Sequence, residues 1–207
     1  MPKPSIDRSG GYEAAAAEFM TIRSGSSVGV KVVREWVRAL PDDAAVLDLG
    51  CGHGLPISQA LIDEGVQLYA IDVSPTLIAA FRRRFPHVPA ECSAVEHSEF
   101  FGRRFDGVVA WGLAFLLDPE VQASLIRKVA GALNPGGHFL FTSPQRACEW
   151  MDTVTGQRSV SLGSDGYRAA LRGAGLTLIG EADDEGENHY YFVCKPNDDR
   201  RAGKASG

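Results

Sequence analysis

The chain has 207 residues, enough for one α/β domain with a full apolar core, and nothing in its composition calls for a second domain. A formal charge of −5, with basic residues scattered and Arg82-Arg83-Arg84 expected on a solvated helix, removes the electrostatic case for a nucleic-acid groove. Cys51, Cys92, Cys148 and Cys194 form no C-x-x-C pair, so neither a metal centre nor disulfides are expected. No apolar run is long enough to span a membrane, and Met1-Pro2-Lys3-Pro4 lacks a signal-peptide core, so a cytoplasmic setting is expected.

Residues 1–10 and 196–207 are rich in Pro, Gly, Ser and charge and read as frayed ends without a chemical role, leaving about 12–195 as the ordered body. The alanine-rich segment from Tyr12 to Met20 favours helix. After the Ser24-Gly25-Ser26-Ser27 break, a second helix carries Val33, Trp36, Val37 and Leu40 on one face until Pro41. Val46 to Gly54 then reads as a buried strand entering a glycine-rich turn. Val46, Leu47 and Leu49 suit a parallel strand covered on both faces, while Gly50, Gly52 and Gly54 let the backbone turn tightly and approach a ligand. The Asp48 carboxylate is costly in such a strand unless a cationic ligand group or a set of donors lies beside it.

Eighteen residues beyond Gly54, a second apolar run from Val66 ends in Asp72, placed where an acid accepts the two hydroxyls of a ribose in a βαβ unit. Strands and helices alternate from there, the pattern of a parallel sheet with crossover helices. Ser74-Pro75 starts a helix through Phe85. Asp118-Pro119-Glu120 starts another through Leu133, with Val121, Leu125, Ile126 and Val129 as its buried stripe. The stretch 143–164 shows no clear periodicity and is long enough to suggest a substrate lid, together with the helices in 12–40. A helix from about Asp165 to Ala174 precedes two strands, Leu176 to Gly180 and His189 to Val193, whose short acidic link makes them antiparallel.

With Asp48 two residues before the first glycine, and G-x-G-x-G in place of the dinucleotide G-x-G-x-x-G, the first turn resembles the first motif of class I S-adenosylmethionine-dependent methyltransferases. Cys92-Ser93-Ala94-Val95-Glu96 falls where that family places its adenine-contacting loop. Phe105 to Trp111 looks like its fourth strand, and Leu133 to Phe141 resembles its turn into the fifth. The likeness covers roughly residues 44–143, with weaker agreement to Lys195. It implies a Rossmann-like, doubly wound, seven-stranded and mostly parallel sheet closed by a C-terminal antiparallel hairpin. It also implies in-line transfer of a methyl group from S-adenosylmethionine to a small-molecule oxygen, nitrogen or sulfur acceptor, with S-adenosylhomocysteine as product.

By the same resemblance, Asp48 and the backbone of Gly50, Gly52 and Gly54 hold the methionine portion, and Cys51 lies within that contact. Asp72 takes the ribose, Val73 and Val95 sandwich the adenine, and Glu96 lies near the adenine amino group. Arg23 is placed to grip the cofactor carboxylate, against the plainer reading of a solvated arginine. Trp111 walls the pocket, faces a cationic acceptor or simply packs. Ala110-Trp111-Gly112-Leu113 lacks the Asn/Asp-Pro-Pro-aromatic pattern used by relatives that act on planar amides, which disfavours a nucleobase or glutamine side chain as acceptor.

Tyr12, Trp150, Asp152, Arg158, Glu187 and His189 are candidate acceptor contacts. No general base stands out among His53, His97, His138 and His189. Two other readings remain open at this stage. A nicotinamide-dependent oxidoreductase lacks its third spaced glycine, and the Y-x-x-x-K match of Tyr191 and Lys195 lies on a strand, about 13 Å end to end. The other is a protein that binds S-adenosylmethionine without catalysis. The sequence leaves the oligomeric state open.

Overall fold

The computed structural model describes residues 9–197. Seven strands form one sheet: β1 (Ala45–Leu49), β2 (Gln67–Asp72), β3 (Ala90–Cys92), β4 (Phe105–Ala110), β5 (Leu133–Thr142), β8 (Thr177–Asp183) and β9 (His189–Cys194). Their order is β3-β2-β1-β4-β5-β9-β8, with β1 to β5 parallel and β9 antiparallel to both β5 and β8. This is the doubly wound, Rossmann-like sheet with a closing hairpin that the motif order implies. Strand order reverses beside β1, and the crevice at the carboxyl ends of β1, β2 and β4 is where open α/β sheets bind ligands.

Both faces of the sheet are covered, which is why β1 is buried at every position. On one face α2 (Val30–Val37), α3 (Ile57–Asp63) and α4 (Pro75–Arg84) contribute Val33, Trp36, Leu61 and Phe81 to an apolar layer over Val46, Leu68 and Val109. On the other, α5 (Pro119–Ala132) and α6 (Gly163–Gly173) place Leu125, Val129, Tyr167 and Leu171 against Phe139, Phe141 and Tyr191. Ser74 caps α4 by accepting from Leu77 N at 3.1 Å, and Pro75 and Pro119 open their helices as expected.

Three expectations need correction. The first helix, α1, spans Ala16–Ser24 and not residues 12–20, because Gly10 and Gly11 take left-handed φ values of 60° and 90° and hold residues 9–15 in turns. Arg23 therefore sits in the last turn of that helix. The stretch 143–164 is no irregular loop: β6 (Cys148–Met151) and β7 (Arg158–Ser161) pair as an antiparallel hairpin. A buried network ties that hairpin to the body. Ser143 Oγ lies 2.7 Å from Tyr167 Oη and 3.2 Å from Ser161 Oγ, Tyr167 donates to Gln122 Oε1 at 2.6 Å, and Gln122 Nε2 donates to Val160 O at 2.9 Å. Finally, of the ends expected to fray, 1–8 and 198–207 lie outside the described residues, but Ser9 is buried at the mouth of the crevice. Among the described residues, no helix is long and apolar enough to cross a membrane.

Candidate functional site

The crevice holds a cavity of about 370 Å³. Its floor is the glycine turn after β1. Gly50 N and Cys51 N both donate to Ile71 O, at 2.8 and 3.1 Å, which draws the turn against the end of β2. Gly52 is needed for close approach: a β-carbon there would stand 2.9 Å from Phe19 Cε1 of α1, at a φ of 56°. Gly54 does not line the cavity. A β-carbon on it would meet Phe85 Cε2 at 2.3 Å and Phe81 at 3.0 Å, so that glycine admits α4 to the turn.

Asp48 is 2 % exposed, and among the described residues its side chain has one hydrogen-bond partner, Ser58 Oγ of α3, at 2.5 Å. Burial pushes its carboxyl up to about 7, against the pull of the Ser58 hydroxyl and with help from the nearby Asp72. No cation meets it among the described residues. Asp72 accepts Gly52 N on one oxygen and Ser74 N on the other, both at 2.8 Å. Burial raises its pKa while these backbone donors lower it. Each Asp72 oxygen keeps a lone pair for a further donor, so the carboxylate is fixed in place without being used up.

Beyond β3, Ala94, Val95 and Glu96 line the cavity, as does Val73 after β2. Lys128 of α5 holds that loop by donating to Val95 O at 3.0 Å and Glu96 O at 3.1 Å. At the tip of β4, Gly112 N donates to Thr142 Oγ1 at 2.8 Å, and Trp111, Leu113 and Phe115 continue the wall.

The roof comes from the N-terminal turns, α1 and the β6–β7 hairpin. Tyr12 packs edge-on to Phe19, and its hydroxyl donates to Asp152 Oδ2 at 3.2 Å. Burial, then the charge and hydrogen bond of Asp152, push the Tyr12 phenol well above its ordinary value, so it stays protonated. Glu13 grips the start of α4 through Ser74 Oγ, Thr76 N at 3.1 Å and Thr76 Oγ1 at 2.7 Å, where a helix N-terminus favours an anion. Arg23 is 9 % exposed, with its guanidinium carbon 4.1 Å from the centre of the Trp111 ring and its Nη2 buried without a hydrogen-bond partner among the described residues. Burial lowers its pKa, and the Asp184 carboxylate opposes that fall.

Every cofactor candidate from the sequence except Gly54 thus lines one cavity. Of the six acceptor candidates, Tyr12 and Asp152 line it, while Trp150 reaches it only through Phe115, with ring centres 5.3 Å apart. Three do not meet it. Arg158 pairs with Glu149 at 2.6 Å on the exposed hairpin, Glu187 is exposed at the turn after β8, and His189 lies against Asp183 at 2.7 Å and Tyr191. His53 is buried beside Ser24 Oγ at 3.1 Å. Burial, with Arg84 and Arg23 nearby, pushes its pKa down to about 4, so it is neutral. Sequence reasoning missed Phe19, Ile22, Phe115, Val154 and Asn188, which line the cavity, and the Glu13 clamp.

A family described as "Methyltransferase domain" matches residues 46–137. The ubiquinone biosynthesis O-methyltransferase of Xanthomonas axonopodis pv. citri (strain 306) is 33 % identical over 162 residues, covering 68 % of this chain and 66 % of the relative. The chain spans about half to two thirds of the length of the curated relatives it matches. Among solved structures, the CcbJ methyltransferase of Streptomyces caelestis superposes with a TM-score of 0.74 at 17 % identity, covering 91 % of this chain and 98 % of the other. Magnesium protoporphyrin IX methyltransferase (ChlM) of Synechocystis PCC 6803 with bound S-adenosylmethionine gives 0.72 at 14 % identity, covering 94 % of this chain and 100 % of the other.

Proposed function

We propose that this chain, which belongs to the class I S-adenosylmethionine-dependent methyltransferases, carries a methyl group from S-adenosylmethionine to a small acceptor and leaves S-adenosylhomocysteine. One observation carries the reading: a single cavity holds a buried carboxylate without a cation, Asp48, and a buried guanidinium with an unpartnered donor, Arg23. Those are complements of an α-amino-acid zwitterion, which S-adenosylmethionine has and a nicotinamide dinucleotide lacks. Asp48 would receive the ammonium group and Arg23 the carboxylate, since both buried charges need partners. The free lone pairs of Asp72 suit the ribose hydroxyls, and Val73 and Val95 suit the two faces of the adenine.

When bound, S-adenosylmethionine supplies a methyl group already activated by its sulfonium. The protein's part is to orient the acceptor behind that group and exclude water. Ile22, Leu113, Phe115, Leu116 and Val154 give the remaining walls an apolar character. Tyr12 is one of the polar groups among them, with Asp152 and Asn188. The Tyr12 proton is committed to Asp152, so its oxygen offers only lone pairs, which suit an O–H or N–H on an otherwise apolar small molecule.

Isothermal titration of the purified chain with S-adenosylhomocysteine and with NAD tests the cofactor assignment. Binding of the first alone is expected, and binding of NAD alone would overturn it. A screen of small hydroxyl and amine acceptors with methyl-labelled cofactor then tests transfer itself.

A further inference from the structure

We infer that Asp184, Tyr190 and Trp111 form a positioning relay that sets the Arg23 guanidinium for the carboxylate of the cofactor's amino-acid tail, an inference that rests on the reading above. The four residues come from four places in the chain: the last turn of α1, the tip of β4, β9 and the turn between β8 and β9. Arg23 is held by little else. Its Nη1 makes a long 3.5 Å contact with Ser26 Oγ, Nη2 has no partner, and the flat face of Trp111 is its main support.

The plane of that indole is itself fixed. Trp111 Nε1 donates to Tyr190 Oη at 2.8 Å, and Tyr190 donates to Asp184 Oδ2 at 2.6 Å. Because the Tyr190 proton goes to Asp184, the phenol oxygen is free to accept from the indole, so the direction of each bond is set by the next. The relay ends on an anchored anion: Asp184 Oδ1 also accepts Gly186 N at 2.8 Å, Asn188 N at 3.0 Å and Asn188 Nδ2 at 3.0 Å. Burial pushes the Asp184 pKa up, but these donors and the Tyr190 hydroxyl hold it below the usual carboxylate range. The start of α2 closes on the joint. A β-carbon at Gly29 would lie 2.5 Å from Trp111 Nε1 and 2.9 Å from Tyr190 Oη, leaving the ring no room to tilt that way.

The chemistry explains why the anion stands two residues away. A carboxylate in direct contact would occupy the guanidinium donors and close the fork to a ligand. At a remove, the Asp184 carboxylate still favours the charged form of a dry arginine, and Nη2 stays available.

Two variants test this, Tyr190→Phe and Asp184→Asn. The first keeps the ring, and the second keeps a side-chain oxygen for the β8–β9 turn. Each is titrated with S-adenosylhomocysteine and with 5′-methylthioadenosine, which keeps the nucleoside thioether but lacks the amino-acid tail. Both variants are expected to bind S-adenosylhomocysteine about tenfold more weakly while holding 5′-methylthioadenosine within about twofold of the parent. A general loss of packing would weaken both ligands together, and that result would overturn the relay, as would unchanged S-adenosylhomocysteine binding. If the parent chain binds neither ligand, the proposed function fails first and the relay with it.

Discussion

Asp48 has a pKa raised by burial to about 7 in the folded chain, whereas an unfolded aspartate titrates near 4. A carboxyl whose pKa rises on folding contributes its full stabilisation below the unfolded value and loses it as pH climbs through about 7. The ligand-free protein is therefore expected to melt lower at pH 8 than at pH 5.5 on this account. Asp48→Asn should gain about 1 to 3 kcal/mol at pH 8 and little at pH 4, read by calorimetry, while binding S-adenosylhomocysteine more weakly. An ammonium group beside Asp48 reverses the shift, so titration near pH 6.5 should release a proton and give a buffer-dependent heat. Asp72→Ala should weaken S-adenosylhomocysteine by about 1 to 3 kcal/mol through lost charge-assisted hydrogen bonds, and unchanged affinity would misplace the ribose. Both aspartates were visible in the sequence because an acid inside an apolar strand, as at Asp48, or at the end of an apolar run, as at Asp72, is a local pattern. The bare Nη2 of Arg23 was not, since being unpartnered depends on everything the fold brings near.

At the level of elements, the roof depends on side chains reaching to distant segments. Glu13 joins the N-terminal turns to the start of α4, and Tyr12 joins them to the β6–β7 hairpin. Replacing the anion with Glu13→Gln is expected to speed amide exchange across residues 9–24 and leave β1, β2 and β4 unchanged, measured by hydrogen-exchange mass spectrometry. Exchange that rises equally in the sheet would show that the clamp stabilises the whole fold and not the roof. Helix starts such as Ser74-Pro75 were legible because cap and proline act on their own helix. The hairpin was not. Its strands have four residues each, and what holds them is Gln122, Tyr167 and Ser143, all outside the hairpin. The shorter reach of α1 toward the N-terminus follows from two adjacent glycines whose turn conformation the alanine count outweighed.

Across the molecule, the two apolar layers meet the sheet with little slack, and Gly107 on β4 shows it. A β-carbon there would stand 2.6 Å from Leu40 Cδ1 and 2.9 Å from Trp36. Gly107→Ala should cost about 1 to 3 kcal/mol through overpacking and lower the melting temperature without changing which ligand is bound. A parallel sheet was legible in the β-α alternation and the antiparallel pair in the short terminal link, while the doubly wound, seven-stranded arrangement was legible only through the family resemblance. The order also has a consequence in time. β9 pairs between β5 and β8, yet it carries Tyr190 to the tip of β4. A ribosome delivers Asp48 and Asp72 well before Tyr190, so in a nascent polypeptide Trp111 gains its hydrogen-bond partner only after β9 has emerged and slotted between β5 and β8.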